Sequence, residues 1–299
     1  GRNHARLHAD DLCEGAIRMR NRWISAVFAA VVICGCGSDT GPLAGEDQLV
    51  VVQGYLFAGE PVDNIRLTQS VSLDATQTSV ALSDIQVTLI RDQDNFPLEA
   101  IDDSGTYGYL GSDLTVAAGD LFELRVVHDD GVVTALTQVP PAPVQVALST
   151  TQIYIASASD GDGFGGGFGG GFGRGSDAAL TVTWNNEGGA YHQVFVASED
   201  PDAMVIDRGL GDDFSLPTLQ QQPTRSTSTD VNSLQLGTYG SWSVTVYRLN
   251  DEYGQLFEFG TQDPQDLEEP PSNIEGGLGI FTALHGSRFT FDVLPDTTG

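Results

Sequence analysis

The stretch LFELRVVHDDGVVTALTQV, residues 121–139, decides the fold. Phe122, Leu124 and Val126 alternate with Glu123 and Arg125, a period of two that gives an extended chain one apolar and one polar face. Asp-Asp-Gly at 129–131 supplies turn residues, and residues 132–139 resume in Val, Thr and Leu. The segment therefore reads as two short strands with a turn signal between them. Residues 49–57, 65–71, 85–90 and 106–110 are further short runs rich in Val, Ile, Leu, Tyr and Thr; in one of them Ile85, Val87 and Leu89 oppose Gln86 and Thr88. Turn signals stand between the runs at 92–95, 102–105 (DDSG) and 118–120 (AGD). Short strands at this spacing predict an antiparallel sandwich.

Pro140, Pro141 and Pro143 interrupt the pattern and mark an expected boundary between an amino-terminal domain, 48–139, and a carboxy-terminal β-rich domain, 140–299. Residues 144–156 resume as strand. The Gly- and Phe-rich run 157–176 (SASDGDGFGGGFGGGFGRGS) is expected as a flexible loop between strands. Gly165–Gly170 spells G-x-G-x-x-G, but a glycine run satisfies almost any glycine motif, and the phosphate-binding turn needs a strand before it and a helix after it. Asp160 and Asp162 resemble the start of a calcium loop whose closing Glu position is Gly171, so an EF-hand is not expected. Residues 179–184, 192–197 and 241–249 alternate again, with Trp242, Val244 and Val246 on one face. Residues 200–230 are expected to be largely irregular, and 251–259 to form a short helix. Residues 278–284 and 288–294 read as a closing hairpin about His285-Gly286-Ser287, with Phe289, Phe291 and Val293 facing the core.

The amino terminus has a different character. Met19 is expected as the initiator, with residues 1–18 upstream of it, and residues 19–35 as a signal peptide. Arg20 and Arg22 give a positive start, and residues 23–33 are uncharged and apolar. That run falls short of the roughly 20 residues that cross a bilayer. Ile33, Cys34 and Gly35 before Cys36 resemble the lipobox of bacterial lipoproteins, with Cys34 a departure from the usual Ala, Ser or Thr. The resemblance implies cleavage between Gly35 and Cys36 and acylation of Cys36. Residues 37–47 (GSDTGPLAGED) read as a tether whose ends lie roughly 18 Å apart on average.

Charge excludes some partners. The chain has 13 Lys and Arg against 41 Asp and Glu, and every one of the 13 is Arg. Five of the arginines and three of the acids precede Cys36, which leaves 8 basic and 38 acidic residues beyond it, net −30. Such a field repels phosphate backbones, so no nucleic-acid partner is expected, and attachment to a membrane must come from acyl chains. Acids spread along the chain favour adaptation to high salt over divalent-cation binding. Cys13, Cys34 and Cys36 are the only cysteines, so a body cut before Cys36 has no disulfide.

Two resemblances concern the body. "Ser-Gly-Thr-Tyr" at 104–107 followed by "Ala-Gly-Asp-Leu-Phe-Glu-Leu-Arg-Val" at 118–126 looks like a transthyretin-like or carboxypeptidase-regulatory sandwich. "Leu-Thr-Val-Thr-Trp" with "Tyr-His-Gln-Val-Phe-Val" looks like two strands of a fibronectin type III-like sandwich. The expected fold is thus all-β, two antiparallel sandwich-like domains behind a cleaved lipoprotein signal peptide. A third resemblance is more specific. The lipobox, the β-rich first half, Asp251-Glu252-Tyr253 and then Pro271-Ser272-Asn273-Ile274-x-Gly276-Gly277-Leu278-Gly279-Ile280-Phe281 are similar to a Bacteroidota-type envelope lipoprotein family, domain of unknown function forty-two forty-nine. It implies an outer-membrane anchor and an accessory role beside a TonB-dependent transporter. For the 271–281 signature, physics predicts a structural turn with no catalytic part.

Chemistry is scarce. Without Lys there is neither a nucleotide loop of the P-loop kind nor Schiff-base chemistry. His128, His192 and His285 have no metal spacing, and no G-x-S-x-G occurs. No cofactor, metal or catalytic residue is expected. Asp102–Asp103, Asp129–Asp130 and Asp212–Asp213 read as solvated turns before they read as glycosidase carboxylates. A cell-surface glycosidase or peptidase and a structural adhesin stand as rivals to a non-enzymatic binding module.

Overall fold

The computed structural model describes residues 49–71, 79–129, 131–157, 178–208, 218–259 and 272–296. All lie within the compact unit Gln48–Gly299. The expected signal peptide with Gly35, as well as Cys36, Pro271 and all but one residue of the Gly/Phe-rich run, lies outside the described residues.

The described chain is all-β apart from one α-helix and a single 3-10 turn. The first eight strands are β1 (Val50–Phe57), β2 (Ile65–Gln69), β3 (Val80–Ala81), β4 (Gln86–Arg91), β5 (Asp94–Ala100), β6 (Thr106–Gly108), β7 (Leu121–His128) and β8 (Gly131–Gln138). Beyond the prolines come β9 (Val144–Leu148), β10 (Gln152–Ile155), β11 (Ala178–Asn185), β12 (His192–Ser198), β13 (Thr218–Gln220), β14 (Ser228–Asn232) and β15 (Gly240–Leu249). Helix α1 (Asp251–Phe259), β16 (Ile274–Glu275) and β17 (Leu278–Pro295) complete the order. The two runs of the opening segment pair antiparallel as a hairpin, from Leu121↔Gln138 to His128↔Gly131. Its alternation is the core pattern, because Phe122, Leu124, Val126, Val133 and Ala135 are all buried.

Strands β1-β2-β6-β5-β4-β7-β8-β16 follow one another by hydrogen bonding. Their inward faces, Val52, Leu67, Leu89, Leu124 and Val133 among them, form one core. Gly276 and Gly277 then carry the chain from β16 into β17, whose first half pairs in parallel with β1 from Val51↔Leu278 to Phe57↔Leu284. The second half pairs antiparallel with β15, from Leu249↔Leu284 to Gly240↔Val293. On that side β15-β12-β13 and the short β10 lie opposite the separate sheet β14-β11-β9, and Leu180, Val182, Trp184, Val196, Trp242 and Phe291 fill a second core.

Here the structure corrects the sequence reading. No hairpin forms at His285-Gly286-Ser287. Residues 278–295 are one continuous strand of 18 residues, about 60 Å of extended chain. Gly286 looked like a turn residue, but a Cβ on it would lie 2.8 Å from the Tyr247 ring, so glycine is there for close approach. Leu284 pairs with both Phe57 and Leu249 and is where the strand passes from one core to the other. The last strand therefore serves both cores. The turn expected at 92–95 shrinks to Asp92 and Gln93, with Asp92 left-handed at φ 56° and Asp94 already paired to Arg91. The region read as irregular contains β13, too short to show a period, and the start of β14, whose STDVN has Val231 as its one apolar residue. The helix matches its expected range.

Candidate functional site

The 272–281 signature is a clasp between the edge of the first core and β17. The Asn273 amide donates to Leu136 O (3.0 Å) and Phe281 O (2.6 Å), and its Oδ1 accepts from Phe281 N–H at 3.0 Å. One side chain thus bonds β8 and β17 together. Ser272 Oγ donates to Gly279 O and accepts from Ile274 N–H. Ile274 and Glu275 pair with Ala135 and Thr134 of β8. Gly276 sits at φ 77°, and a Cβ on Gly277 would stand 2.7 Å from Val50 O. Leu278 is exposed, whereas Ile280 and Phe281 are buried.

A different place collects groups able to bind a ligand. A pocket of about 530 Å³ opens where the end of β8, Pro140 and Pro141 meet the β11–β12 turn, Arg225 and the β15–α1 junction. Arg225 and Arg248 line it, two of the 8 arginines beyond Cys36. Arg225 is held in place. Its guanidinium donates to Gly189 O at 2.7 Å and lies 3.9 Å above the Tyr191 ring, a cation–π geometry. Contacts to Asp251 (3.7 Å) and Glu258 (3.9 Å) are long and solvent-exposed, so they neutralise it weakly. Arg248, half-buried on β15, has no hydrogen bond or ion pair among the described residues. Asn250 braces the opposite wall by donating to Thr137 Oγ1 and Gln138 O.

The wall behind Arg225 is rigid. Helix α1 closes on Tyr191 through Gly254, where a Cβ would stand 2.2 Å from the ring. One edge-to-face trio of rings, Tyr55–Tyr253–Phe257, ties the helix to β1, and a second, Phe57–Tyr247–Phe195, joins the neighbouring strands, with centroids 5.4–5.7 Å apart. Burial pushes the Tyr253 phenol up to about 12. Burial also raises the Tyr191 phenol, and the Glu258 carboxylate adds to the rise.

The residues considered for catalysis do not converge. His128 ends β7, His285 lies within β17 with Nδ1 3.0 Å from Pro140 O, and His192 is buried on β12. No group of three His, Cys, Asp or Glu able to hold a metal occurs among the described residues. Asp102 accepts from Ser104 N–H, Ser104 Oγ and Thr106 N–H, bonds that hold its carboxyl below its ordinary value and shape a turn. Asp130, Asp212 and Asp213 lie outside the described residues.

His192 makes a measurable prediction. Its ring stacks near Trp184 (5.4 Å), Nε2 has no partner, and burial, with the Arg248 charge adding to it, lowers its pKa from 6.5 to about 4. The unfolded chain therefore binds a proton between pH 6.5 and 4 that the folded chain refuses. Stability contributed by this group is complete above pH 6.5 and falls as the pH drops through that window, by about 3 kcal/mol in all. Urea titrations across the window are expected to show His192→Leu losing less stability than the parent; equal slopes would refute the assignment.

Sequence reading missed the pocket because its walls come from five separated segments. The available signal was the rarity of the residues, since an arginine retained in so acidic a chain calls for a partner. A family model described as Domain of unknown function (DUF4249) matches residues 39–289. No curated protein matches the chain. The matched span begins three residues after Cys36, takes in the first core, most of the second and the 272–281 clasp, and reaches well into β17, so the chain belongs to the family described as Domain of unknown function (DUF4249).

Proposed function

We propose that this protein is a non-enzymatic, lipid-anchored binding module of the cell envelope, held at the outer membrane through Cys36 and acting beside an outer-membrane transporter. The observation that carries the binding role is the pocket beside Pro140. It concentrates two positive side chains on a body of net −30, and one of them has no partner among the described residues. A concave site with a few convergent polar groups is what a binding module needs. The lipobox-like Ile33-Cys34-Gly35-Cys36 supports the anchor, and the polar stretch 37–47 gives the body room to reorient. The body is read as a transthyretin-like sandwich followed by a fibronectin type III-like one, a reading supported by the sequence patterns at 104–126 and 180–196. The acid excess fits a salty medium, where self-repulsion is screened.

Cells fed an alkyne-tagged palmitate are expected to label the protein, and Cys36→Ser is expected to abolish the label and release the protein from membranes. An unlabelled parent chain would overturn the anchor. Mild crosslinking on intact membranes, followed by capture through the carboxy terminus, is expected to recover a β-barrel transporter. Recovery of no envelope protein above background would remove the accessory role.

A further inference from the structure

The pocket beside Pro140 has an asymmetry that identifies the charge it accepts. Its walls carry Arg225, Arg248 and, among the described residues, one acid, Asp251; Asp251 and the neighbouring Glu258 both lie against Arg225, which leaves Arg248 as the uncompensated charge on a strongly negative body. Acids outnumber arginines almost five to one beyond Cys36, yet among the described residues none pairs with Arg248. A half-buried guanidinium has lost part of its water shell, and an anion presented in the plane of its fork would restore those bonds. Arg225 is already oriented by Gly189 O and the Tyr191 face, so it can accept a second contact with little further ordering. Polyanions are disfavoured, because each added negative charge meets the field of the whole body. The remaining wall offers Val139, Pro140 and Leu249, suited to a short apolar stem.

We infer that this pocket binds a carboxylate, a single planar negative charge on an apolar stem, with Arg248 as the principal anchor and Arg225 as the preset second one. The stem can belong to a small free acid or to the last residue of a peptide chain. This inference rests on the binding-module reading, and the two fail separately. A chain that is acylated and captures a transporter, yet takes no carboxylate, retains the former and loses the latter.

Calorimetry on the detergent-solubilised full chain at low ionic strength tests the inference with four probes: butyrate, the tripeptide Gly-Gly-Leu with a free carboxyl, the same tripeptide amidated, and inorganic phosphate. The free acid of the tripeptide is expected to bind and its amide to bind at least 10-fold more weakly, with phosphate weaker still. Arg248→Gln is expected to weaken the free acid at least 10-fold. Arg66→Gln, which removes an exposed guanidinium of β2, is expected to change affinity less than 2-fold. Butyrate binding as tightly as the tripeptide acid supports the site with a small acid as its ligand, and a marked preference for the tripeptide supports it with a chain end. Equal affinity for acid and amide, phosphate binding as tight as either carboxylate, an unchanged Arg248→Gln variant, or no binding by any probe would each overturn the proposal. Arg248 has no structural bond to lose, so its removal is not expected to unfold the chain; a thermal melt within a few degrees of the parent checks this.

Discussion

A fragment that stops at Val139 is expected not to fold. It retains β1 to β8 but loses the only partner on one edge of β1 and the β16 cover on β8. Phe281 and Ala283, both fully buried in the first core, leave with β17. Truncating one buried Phe to Ala already costs about 3–5 kcal/mol. Whole domains hold only about 5–15 kcal/mol of net stability. The fragment also leaves Val50, Val52 and Leu56 beside an empty space and β1 with a bare row of amides, an aggregation hazard. Circular dichroism during heating should show no cooperative transition for residues 48–139, and a cooperative one for residues 48–299. A fragment melting cooperatively near the parent temperature would mean that the β1–β17 pairing is dispensable.

The second large effect is at Gly279. Its φ is 106°, and a Cβ there would stand 2.0 Å from Val52 O and 2.9 Å from Val52 C. The obstacle is backbone, and it cannot retreat, because Val52 is buried and paired to Leu67 on its other side. Gly279→Ala should therefore separate β17 from β1 locally, at about 3 kcal/mol or more. Gly59→Ala is the matched control. Gly59 also has a positive φ, 81°, but a Cβ on it meets nothing within 4 Å. It should lose only the backbone term, about 1 kcal/mol. Urea midpoints of the two variants separate collision from strain; equal losses would refute the close parallel pairing.

Much of the local structure was legible. Alternation in residues 85–90 and 121–126 placed Val87, Leu89, Phe122, Leu124 and Val126 inside, and all five are buried. The same reading placed Trp242, Val244 and Val246 on one buried face. Strands shorter than about four residues gave too few repeats of the period, which is why β13 and β16 escaped notice. Gly286 misled because glycine is a turn signal in sequence, and only the Tyr247 ring beside it reveals its steric purpose. The signature at 272–281 was legible as a structural feature, but the bonds from Asn273 to both β8 and β17 were not. A side chain that replaces a strand leaves no periodic trace.

The sequence by itself determined that the chain is all-β, which side chains face inward, the surplus of negative charge and the lipobox-like cysteine. Each is a local or additive property, governed by backbone sterics, the pleat or a count of charges. Tertiary structure alone decided that the last strand runs through both cores and that Arg225 and Arg248 share one pocket. Those facts depend on partners some 25 to 230 residues apart, chosen by which faces bury one another. Pairing of that kind is set by the burial of the whole chain, and no local stretch encodes it.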